Sequence, residues 1–177
     1  YHCRGDGSLG HGACDGGLMS PIAEEIFCKA KALGFKITCA ESCTGGMISA
    51  ALTDIAGSSA IFEQGFVTYS NGAKQKMLGV RHKTLADYGA VSEPVAREMA
   101  EGALRQSHAD IAISVSGIAG PGGSEFKPEG RVCFALASAH GTQSETQEFG
   151  ALGRAAVRQA ALDHALNLIH VHLNLAH

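Results

Sequence analysis

The residue with the clearest chemical potential in this chain is Ser42, in the segment Ala-Glu-Ser-Cys-Thr-Gly-Gly at residues 40–46. A β-type run precedes this segment at residues 35–39, and a helical pattern follows it at residues 47–52. A serine on such a strand-to-helix turn can cap the helix by accepting a hydrogen bond from a backbone N–H. It can also act as a nucleophile, because the positive end of a helix favours developing negative charge. Local geometry alone favours the cap.

A second candidate is Lys74, which we expect in the first turn of a short helix that is capped by Asn71 and stopped by Gly79. The helix macrodipole disfavours a cation there, and burial would lower the pKa of the amine further. A neutral lysine can take the proton of a serine hydroxyl, and Tyr69 could relay that proton or hold the lysine in place. The alternative is an exposed lysine and a tyrosine at the rim of the core, which the residues alone favour.

A glycine-rich loop forms the third candidate, starting at Ser116 directly after the predicted buried strand of residues 109–115. Its glycines lie at positions 117, 120, 122 and 123. Glycines allow backbone N–H groups to face a phosphate or an oxyanion, but a Gly/Pro loop can equally be a simple turn. The loop lacks both the Gly-Lys-Ser/Thr ending of a Walker loop and the dinucleotide-binding fingerprint.

The order of the predicted elements shows how these three segments could meet. Helices and strands alternate in the first half of the chain, and strands pair in the second half. This order predicts a single α/β domain with three α/β/α layers and a mixed, largely parallel sheet. Ligands of such sheets bind beyond the carboxyl ends of the strands. We therefore expect the loops at residues 41–46, 69–74 and 116–124 to converge on one pocket.

Capping and turn residues predict where the remaining elements begin and end. Ser20 is expected to cap a first helix that Gly34 ends, and Ser92 to cap a longer one. Residues 145–149 are expected to form a polar edge strand. The last helix is predicted to begin near Arg154.

Composition excludes several classes of protein. Hydrophobic residues make up 45% of the 177 residues and charged residues 18%, which predicts an ordinary globular domain with one core. The net charge of −3 and the scattered basic residues give no support to nucleic-acid binding, and no apolar run is long enough to cross a bilayer. Residues 1–18 are Gly-rich and irregular, so we expect a poorly ordered leader, linker or vector remnant before a domain at residues 19–177, with Met19 as a natural start.

The six cysteines and nine histidines predict neither disulfides nor a metal site. No Cys-x-x-Cys spacing occurs, and a chain of this length does not need disulfides to fold, which indicates a reducing cytoplasm. Cys28, Cys39 and Cys133 are expected in the core, and Cys43 is the cysteine most worth testing for reactivity. The histidines near the C-terminus are expected on a surface or frayed helix end. They are His170, His172 and His177.

Four motifs in order resemble the CinA C-terminal domain family. They are Ala-Glu-Ser-Cys-Thr-Gly-Gly, Thr-Tyr-Ser-Asn-Gly-Ala-Lys, Gly-Ala-Val-Ser and Ser-Gly-Ile-Ala-Gly-Pro-Gly-Gly. The resemblance covers roughly residues 19–168. The family includes amidases that hydrolyse nicotinamide mononucleotide to nicotinate mononucleotide and ammonia. It implies Ser42 as the nucleophile, Tyr69 and Lys74 as its activating partners, and Ser116 as a site hydroxyl.

This resemblance, together with the loops, gives a set of residues expected to bind a small nucleotide substrate without metal or cofactor. The backbone of residues 44–46 is expected to hold an oxyanion, and Arg154, Arg158 or the glycine loop to hold a phosphate. The full set is Glu41, Thr44, Gly45, Gly46, Ser116, Gly117, Gly120, Gly122, Gly123, Arg154 and Arg158.

The chain departs from the family pattern at three places. Ser116 stands where threonine is usual, which keeps the hydroxyl, and Gly72 stands where a larger residue is common. The Gly-Asp-Arg before the last helix appears here as Leu-Gly-Arg, so the aspartate is replaced by Gly153. We expect a stand-alone form of the family, without the larger amino-terminal domain that some relatives carry.

Two functions remain open at this stage. One is the amidase, and the other is a non-catalytic nucleotide-binding or regulatory module linked to competence and DNA damage. For either, apolar positions on the last helix, Leu173 and Leu175, are expected to be exposed and to favour self-association into a homo-oligomer.

Overall fold

The computed structural model describes residues 20–176, which form six α-helices, a short 3-10 helix and five strands. In chain order these are α1 Pro21–Leu33, β1 Ile37–Glu41, α2 Met47–Thr53, the 3-10 helix Ser58–Ala60, β2 Phe62–Val67, α3 Asn71–Leu78, α4 His82–Tyr88, α5 Glu93–Arg105, β3 Ile111–Gly117, β4 Arg131–Ser138, β5 Gly141–Glu148 and α6 Arg154–Leu175. The leader predicted for residues 1–18 lies outside the described residues.

The five strands form one mixed sheet in the order β2-β1-β3-β4-β5. β1 pairs in parallel with β2 and with β3, whereas β3 with β4 and β4 with β5 pair antiparallel. Glu41 at the end of β1 is opposite Val67 on one side and Val115 on the other. The carboxyl ends of the three parallel strands therefore meet at one edge of the sheet, as predicted for the three loops.

Helices cover both faces of the sheet, which confirms the three-layer prediction. One buried cluster packs α1, α2 and α6 against side chains such as Ile113 and Phe134. The second packs α3, α4 and α5 against smaller residues such as Ala112 and Ala135. This alternation along β3 and β4 is expected, because successive side chains of a strand point to opposite faces.

Several helix ends follow from local chemistry, with one difference from the prediction. Gly34 and Gly79 end α1 and α3 in the left-handed conformation, and Ser92 caps α5 through the Val95 N–H. The cap of α3 is Ser70, whose hydroxyl accepts from the Ala73 N–H. The Asn71 cap was therefore wrong by one residue, because the preceding strand ends at Val67 and gives Ser70 the extended backbone that a cap requires.

Two burial predictions were also wrong. Cys28 is exposed, because it lies on the outer face of α1, whereas Cys39 and Cys133 are buried as expected. Leu173 is buried in the first cluster, and Leu175 is 78% exposed at the end of α6. β5 lies at the edge of the sheet as predicted. No helix within residues 20–176 is both long enough and apolar enough to cross a membrane.

Candidate active site

The turn that carries Ser42 is held by backbone hydrogen bonds at both ends. The Ser42 N–H donates to the Val115 carbonyl at 3.0 Å, and the Gly45 N–H donates back to the Ser42 carbonyl at 3.1 Å. Ser42 is mostly buried, with 9% of its surface exposed. Its hydroxyl is not the cap of α2, so the interpretation that local geometry favoured for this residue was wrong.

Glu41 is the residue that caps α2. The N-cap position of α2 is Gly46, which has a positive φ of 103° and no side chain to offer. The fully buried Glu41 carboxylate accepts from the Gly46, Ile48 and Ser49 N–H groups at 2.9–3.1 Å, and from the Ser49 hydroxyl at 2.8 Å. This carboxylate is therefore directed into the start of the helix, away from the pocket in which it was expected to bind substrate.

Lys74 meets Ser42 directly. Its Nζ donates to Ser42 Oγ at 2.9 Å, to the Thr68 carbonyl at 2.7 Å and to the Tyr69 carbonyl at 3.3 Å. The side chain is 1% exposed, and α3 begins close enough to the ends of β1 and β2 to bring it there. Burial lowers the pKa of Lys74 from 10.5 to about 8. Desolvation is therefore the cause of the shift in pKa, where the sequence had suggested the helix dipole as well.

Tyr69 approaches the lysine with its backbone, because its carbonyl accepts from Lys74. Its phenol is 60% exposed and accepts a hydrogen bond from Arg154 Nη2 at 3.0 Å. The side chain lines the same cavity as Ser42, at the mouth. The expected relay through the phenol has no contact with Lys74 or Ser42 among the hydrogen bonds of the described residues.

The glycine loop forms the opposite wall. The buried Ser116 hydroxyl donates to the Ala90 carbonyl at 2.8 Å, which fixes the loop to the segment before α5. The cavity between this wall and Ser42 has a volume of about 320 Å³. Its lining includes Ser42, Cys43, Tyr69, Lys74, Ser116, Gly117, Gly120, Gly122, Gly123 and Arg154.

The two arginines predicted to bind phosphate have different positions. Arg154 is exposed at the start of α6 and lines the cavity, with Nη1 on the Gly120 carbonyl at 3.1 Å. Arg158 is half-buried, and its guanidinium donates to the Cys43 and Thr44 carbonyls at 3.0 and 3.1 Å. Arg158 therefore holds the turn after Ser42, whereas Arg154 faces the space a substrate could occupy.

The backbone donors near Ser42 also differ from the expectation. The Gly45 and Gly46 N–H groups are used within the turn, by the Ser42 carbonyl and the Glu41 carboxylate. Within the described part of the chain, no carbonyl or carboxylate accepts from the Cys43 and Thr44 N–H groups. The donors available to an oxyanion are thus those of residues 43 and 44, one position earlier than residues 44–46.

Two further predictions concern the thiol and metal chemistry. Burial raises the pKa of Cys43 to about 11, so this thiol is protonated near neutral pH and a reactive cysteine is not supported. Within residues 20–176, no three His, Cys, Asp or Glu side chains lie together in a way that could hold a metal ion.

Two contacts of the glycine loop were missed from the sequence. Lys127 Nζ donates to the carbonyls of Tyr88 and Val91, and the half-buried Glu129 carboxylate accepts from the Gly122 and Gly153 N–H groups. No local pattern marks either residue, because their partners are distant in sequence.

The model of the CinA C-terminal domain matches residues 19–173 of this chain. The chain belongs to the CinA C-terminal domain family. An Escherichia coli K12 protein named nicotinamide-nucleotide amidohydrolase PncC is 54% identical over 156 residues, 88% of this chain and 94% of that protein. A CinA-like protein of Chloroherpeton thalassium is 59% identical over 119 residues, which cover 67% of this chain and 28% of that protein.

A solved structure shares the fold of this CinA C-terminal domain. The crystal structure of the competence/damage inducible protein CihA from Agrobacterium tumefaciens has a TM-score of 0.84 and 44% identity. The match covers 92% of this chain and 99% of that one. The resemblance expected from the four motifs is thereby confirmed at the level of family and fold.

Proposed function

We propose that this protein hydrolyses the carboxamide of nicotinamide mononucleotide to nicotinate mononucleotide and ammonia, with Ser42 as the nucleophile. The observation that carries the proposal is the 2.9 Å contact between Lys74 Nζ and Ser42 Oγ, made by a lysine whose pKa is lowered to about 8. The name of the E. coli relative supports the choice of substrate. Removing a lysine from water disfavours its charged form, and the neutral amine that results can accept a proton from the serine.

In the first step, neutral Lys74 accepts the Ser42 proton while Oγ attacks the amide carbon. The carbonyls of Thr68 and Tyr69 hold the two N–H bonds of the neutral amine, which leaves its lone pair directed at Ser42 Oγ. Tyr69 thus contributes to catalysis through its backbone, and Lys74 is the base.

The negatively charged oxygen of the tetrahedral intermediate accepts a hydrogen bond from the Thr44 N–H. The Cys43 N–H lies beside this donor. Arg158 binds the Cys43 carbonyl at 3.0 Å, and the C=O and N–H of a trans peptide point in opposite directions. The Thr44 N–H is therefore directed away from Arg158. A preorganised donor of this kind commonly contributes about 10²–10³-fold in rate.

Collapse of the intermediate breaks the C–N bond, and the Lys74 ammonium gives its proton to the departing nitrogen, which leaves as ammonia. The acyl group remains on Ser42 as an ester. Water then attacks this ester, Lys74 takes one water proton, and that proton returns to Ser42 Oγ as the acid is released. The sum is one amide and one water converted to one acid and one ammonia.

The substrate phosphate is assigned to Arg154, because its guanidinium is exposed at the cavity mouth and forks between the Gly120 carbonyl and the Tyr69 hydroxyl. Glu41 and Arg158 are assigned to holding α2 and the nucleophile turn. Ser116 and the glycines shape the wall against which the pyridine ring would lie.

The experiment is to incubate the purified protein with nicotinamide mononucleotide and to measure ammonia together with nicotinate mononucleotide. We expect both products in equal amounts, and we expect Lys74→Met to lower kcat by about 10²–10⁴-fold. The matched control is Lys76→Met, since Lys76 lies on the same helix with its side chain exposed.

A non-catalytic nucleotide-binding module predicts a different outcome. It would bind the nucleotide with a measurable Kd and release no ammonia. Equal rates in the Lys74→Met and Lys76→Met variants would also contradict the proposed base.

A further inference from the structure

We propose that Glu129 is a positioning residue that fixes Arg154 over the cavity, so that this arginine can bind the phosphate of the substrate. The inference rests on the proposed function. Glu129 lies in the loop between β3 and β4, and Arg154 is the first residue of α6. Glu129 is connected to Arg154 through two glycines, Gly122 and Gly153, whose N–H groups donate to its carboxylate.

The Glu129 carboxylate joins two segments that are distant in sequence. Oε2 accepts from the Gly122 N–H at 2.6 Å, and Oε1 accepts from the Gly153 N–H at 2.9 Å. Hydrogen bonds from N–H groups to a carboxylate are among the stronger ones in proteins. The glycine loop is thus tied to the residue immediately before Arg154.

The loop is shaped around this carboxylate. A Cβ built on Gly120 would lie 2.4 Å from Glu129 Cδ, so no side chain at position 120 is compatible with the carboxylate in this place. The Gly120 carbonyl in turn accepts from Arg154 Nη1 at 3.1 Å. Glu129 therefore fixes both the backbone from which Arg154 extends and the carbonyl that orients its guanidinium.

The start of α6 shows why such a group is needed. α6 has 22 residues, and its N-cap is Gly153, which has no side chain to accept from the exposed N–H groups of the first turn. A carboxylate near a helix N-terminus is favoured by the macrodipole. Glu129 places a carboxylate beside this helix start through its contact with the Gly153 N–H.

The test compares two substrates in Glu129→Gln. Against nicotinamide mononucleotide we expect KM to rise about tenfold, corresponding to loss of one charge-assisted contact, while kcat changes less than about twofold. Against nicotinamide riboside, which has no phosphate, we expect KM to change less than about twofold. The matched control is Glu125→Gln, an exposed glutamate of the same loop.

A second comparison separates positioning from general damage to the fold. In an Arg154→Gln background, adding Glu129→Gln should raise KM by less than about twofold, because the two residues act through one contact. Glu129→Asp keeps the negative charge, so its KM for nicotinamide mononucleotide should lie between those of the wild type and Glu129→Gln. Where Glu129→Gln unfolds, the Asp variant gives the same comparison of substrates.

Each of these results either supports or overturns the positioning role of Glu129. Equal effects of Glu129→Gln on both substrates, or a full effect in the Arg154→Gln background, overturn the inference while ammonia release leaves the proposed function standing. If there is no turnover, calorimetry with nicotinamide mononucleotide replaces KM by Kd, and an unchanged Kd in Glu129→Gln overturns the inference. Absence of both turnover and nucleotide binding overturns the two together.

Discussion

At the level of single residues, the proposed chemistry depends on the environment of Lys74. Lys74 is almost fully buried, and each of its hydrogen-bond partners is an oxygen: the Ser42 hydroxyl and two backbone carbonyls. No carboxylate appears among these contacts, so the loss of water around the charged form is not compensated by an ion pair, and burial lowers the pKa of the amine. The neutral amine needed for proton abstraction is therefore accessible near neutral pH.

The first prediction concerns the pH dependence of catalysis. Since the base form of Lys74 is required, kcat/KM should rise with pH and level off above about 8, the pKa set by burial of the amine. Measurement of initial rates across this range in wild type and in Lys76→Met should give superimposable profiles. A profile that is flat through pH 8 would show that Lys74 is not the titrating base.

The second prediction concerns the pH dependence of stability. The folded-state pKa of Lys74 is below its unfolded value of 10.5, so the unfolded chain binds more protons between about 8 and 10.5. The free energy of unfolding should therefore rise with pH in this window, by about 3 kcal/mol in total. Urea unfolding of the wild type and of Lys74→Met measures this free energy at each pH. The rise should be present in the wild type and missing in Lys74→Met. An identical slope in both would contradict the assigned pKa.

The residues alone favoured a capping serine and an exposed lysine, and the family resemblance was what predicted the pairing of Ser42 with Lys74. Neither predicted the directions of the neighbouring side chains. Ser42 and Lys74 were expected at one pocket from their strand-end positions, whereas the Tyr69 phenol was expected to contact Lys74 and the Tyr69 carbonyl makes that contact. Glu41 was expected in the pocket, and it caps α2. Sequence gives the side chains available at a turn, and the direction of each depends on contacts with elements elsewhere in the chain.

At the level of helices and strands, the turn that carries Ser42 leads into α2, whose N-terminal N–H groups are capped by Glu41. Glu41→Gln replaces an oxygen that accepts two hydrogen bonds with an NH₂ group that faces donors, and leaves buried N–H groups without an acceptor. We expect the free energy of unfolding to fall by about 2–3 kcal/mol, and Tm by about 5–10 °C. Glu24→Gln, on the exposed face of α1, is the control and should change stability by less than about 0.5 kcal/mol. Equal stability of the two variants would refute the capping role.

A second prediction at this scale concerns the contact between α3 and α5. A Cβ on Gly102 would lie 2.0 Å from the Leu78 carbonyl oxygen, so Gly102→Ala must push α3, and with it Lys74, away from α5. Gly→Ala in an open helix stabilises by about 0.5–1 kcal/mol, and here we expect a loss of about 1–3 kcal/mol instead. We also expect kcat to fall by about 10- to 100-fold, because the lysine is displaced from Ser42.

The control for this prediction is Gly72→Ala. Gly72 lies in α3 with open space around its Cβ position, where the nearest atom is Ser70 Oγ at 3.9 Å. This variant should gain the ordinary helix propensity, up to about 1 kcal/mol, without loss of activity. Chemical denaturation of both variants checks the signs, and a stabilised, active Gly102→Ala would contradict the close packing.

The succession of elements was largely predictable because it follows from local pattern. Gly34 and Ser92 mark helix ends with their own side chains or backbone, and the β-branched run of β3 marks a buried strand. The capping of α2 by Glu41 and the contact of Glu129 with Gly153 before α6 were not predictable, because Glu41 reaches α2 across the turn that carries Ser42 and Glu129 lies in another loop. Long-range hydrogen bonds leave no periodicity in the sequence.

At the level of the whole molecule, the two halves of the mixed sheet have different roles. The parallel half, β2-β1-β3, brings three loops to one edge; one of them carries Ser42, and another leads into α3, which carries Lys74. The antiparallel half, β4 and β5, provides a broad surface under α5 and α6. α6 begins at the site, where Arg154 and Arg158 contact the glycine loop and the nucleophile turn. A folded sheet is therefore required before the site can form.

The role of Ser42 as the nucleophile is tested by the rate of ammonia release from nicotinamide mononucleotide by Ser42→Ala. Ser59→Ala, at an exposed serine before β2, is the control and should retain the wild-type rate. We expect Ser42→Ala to lose at least about 10³-fold in kcat while it stays folded with an unchanged Kd for the nucleotide. Undiminished release of ammonia by Ser42→Ala would contradict this role.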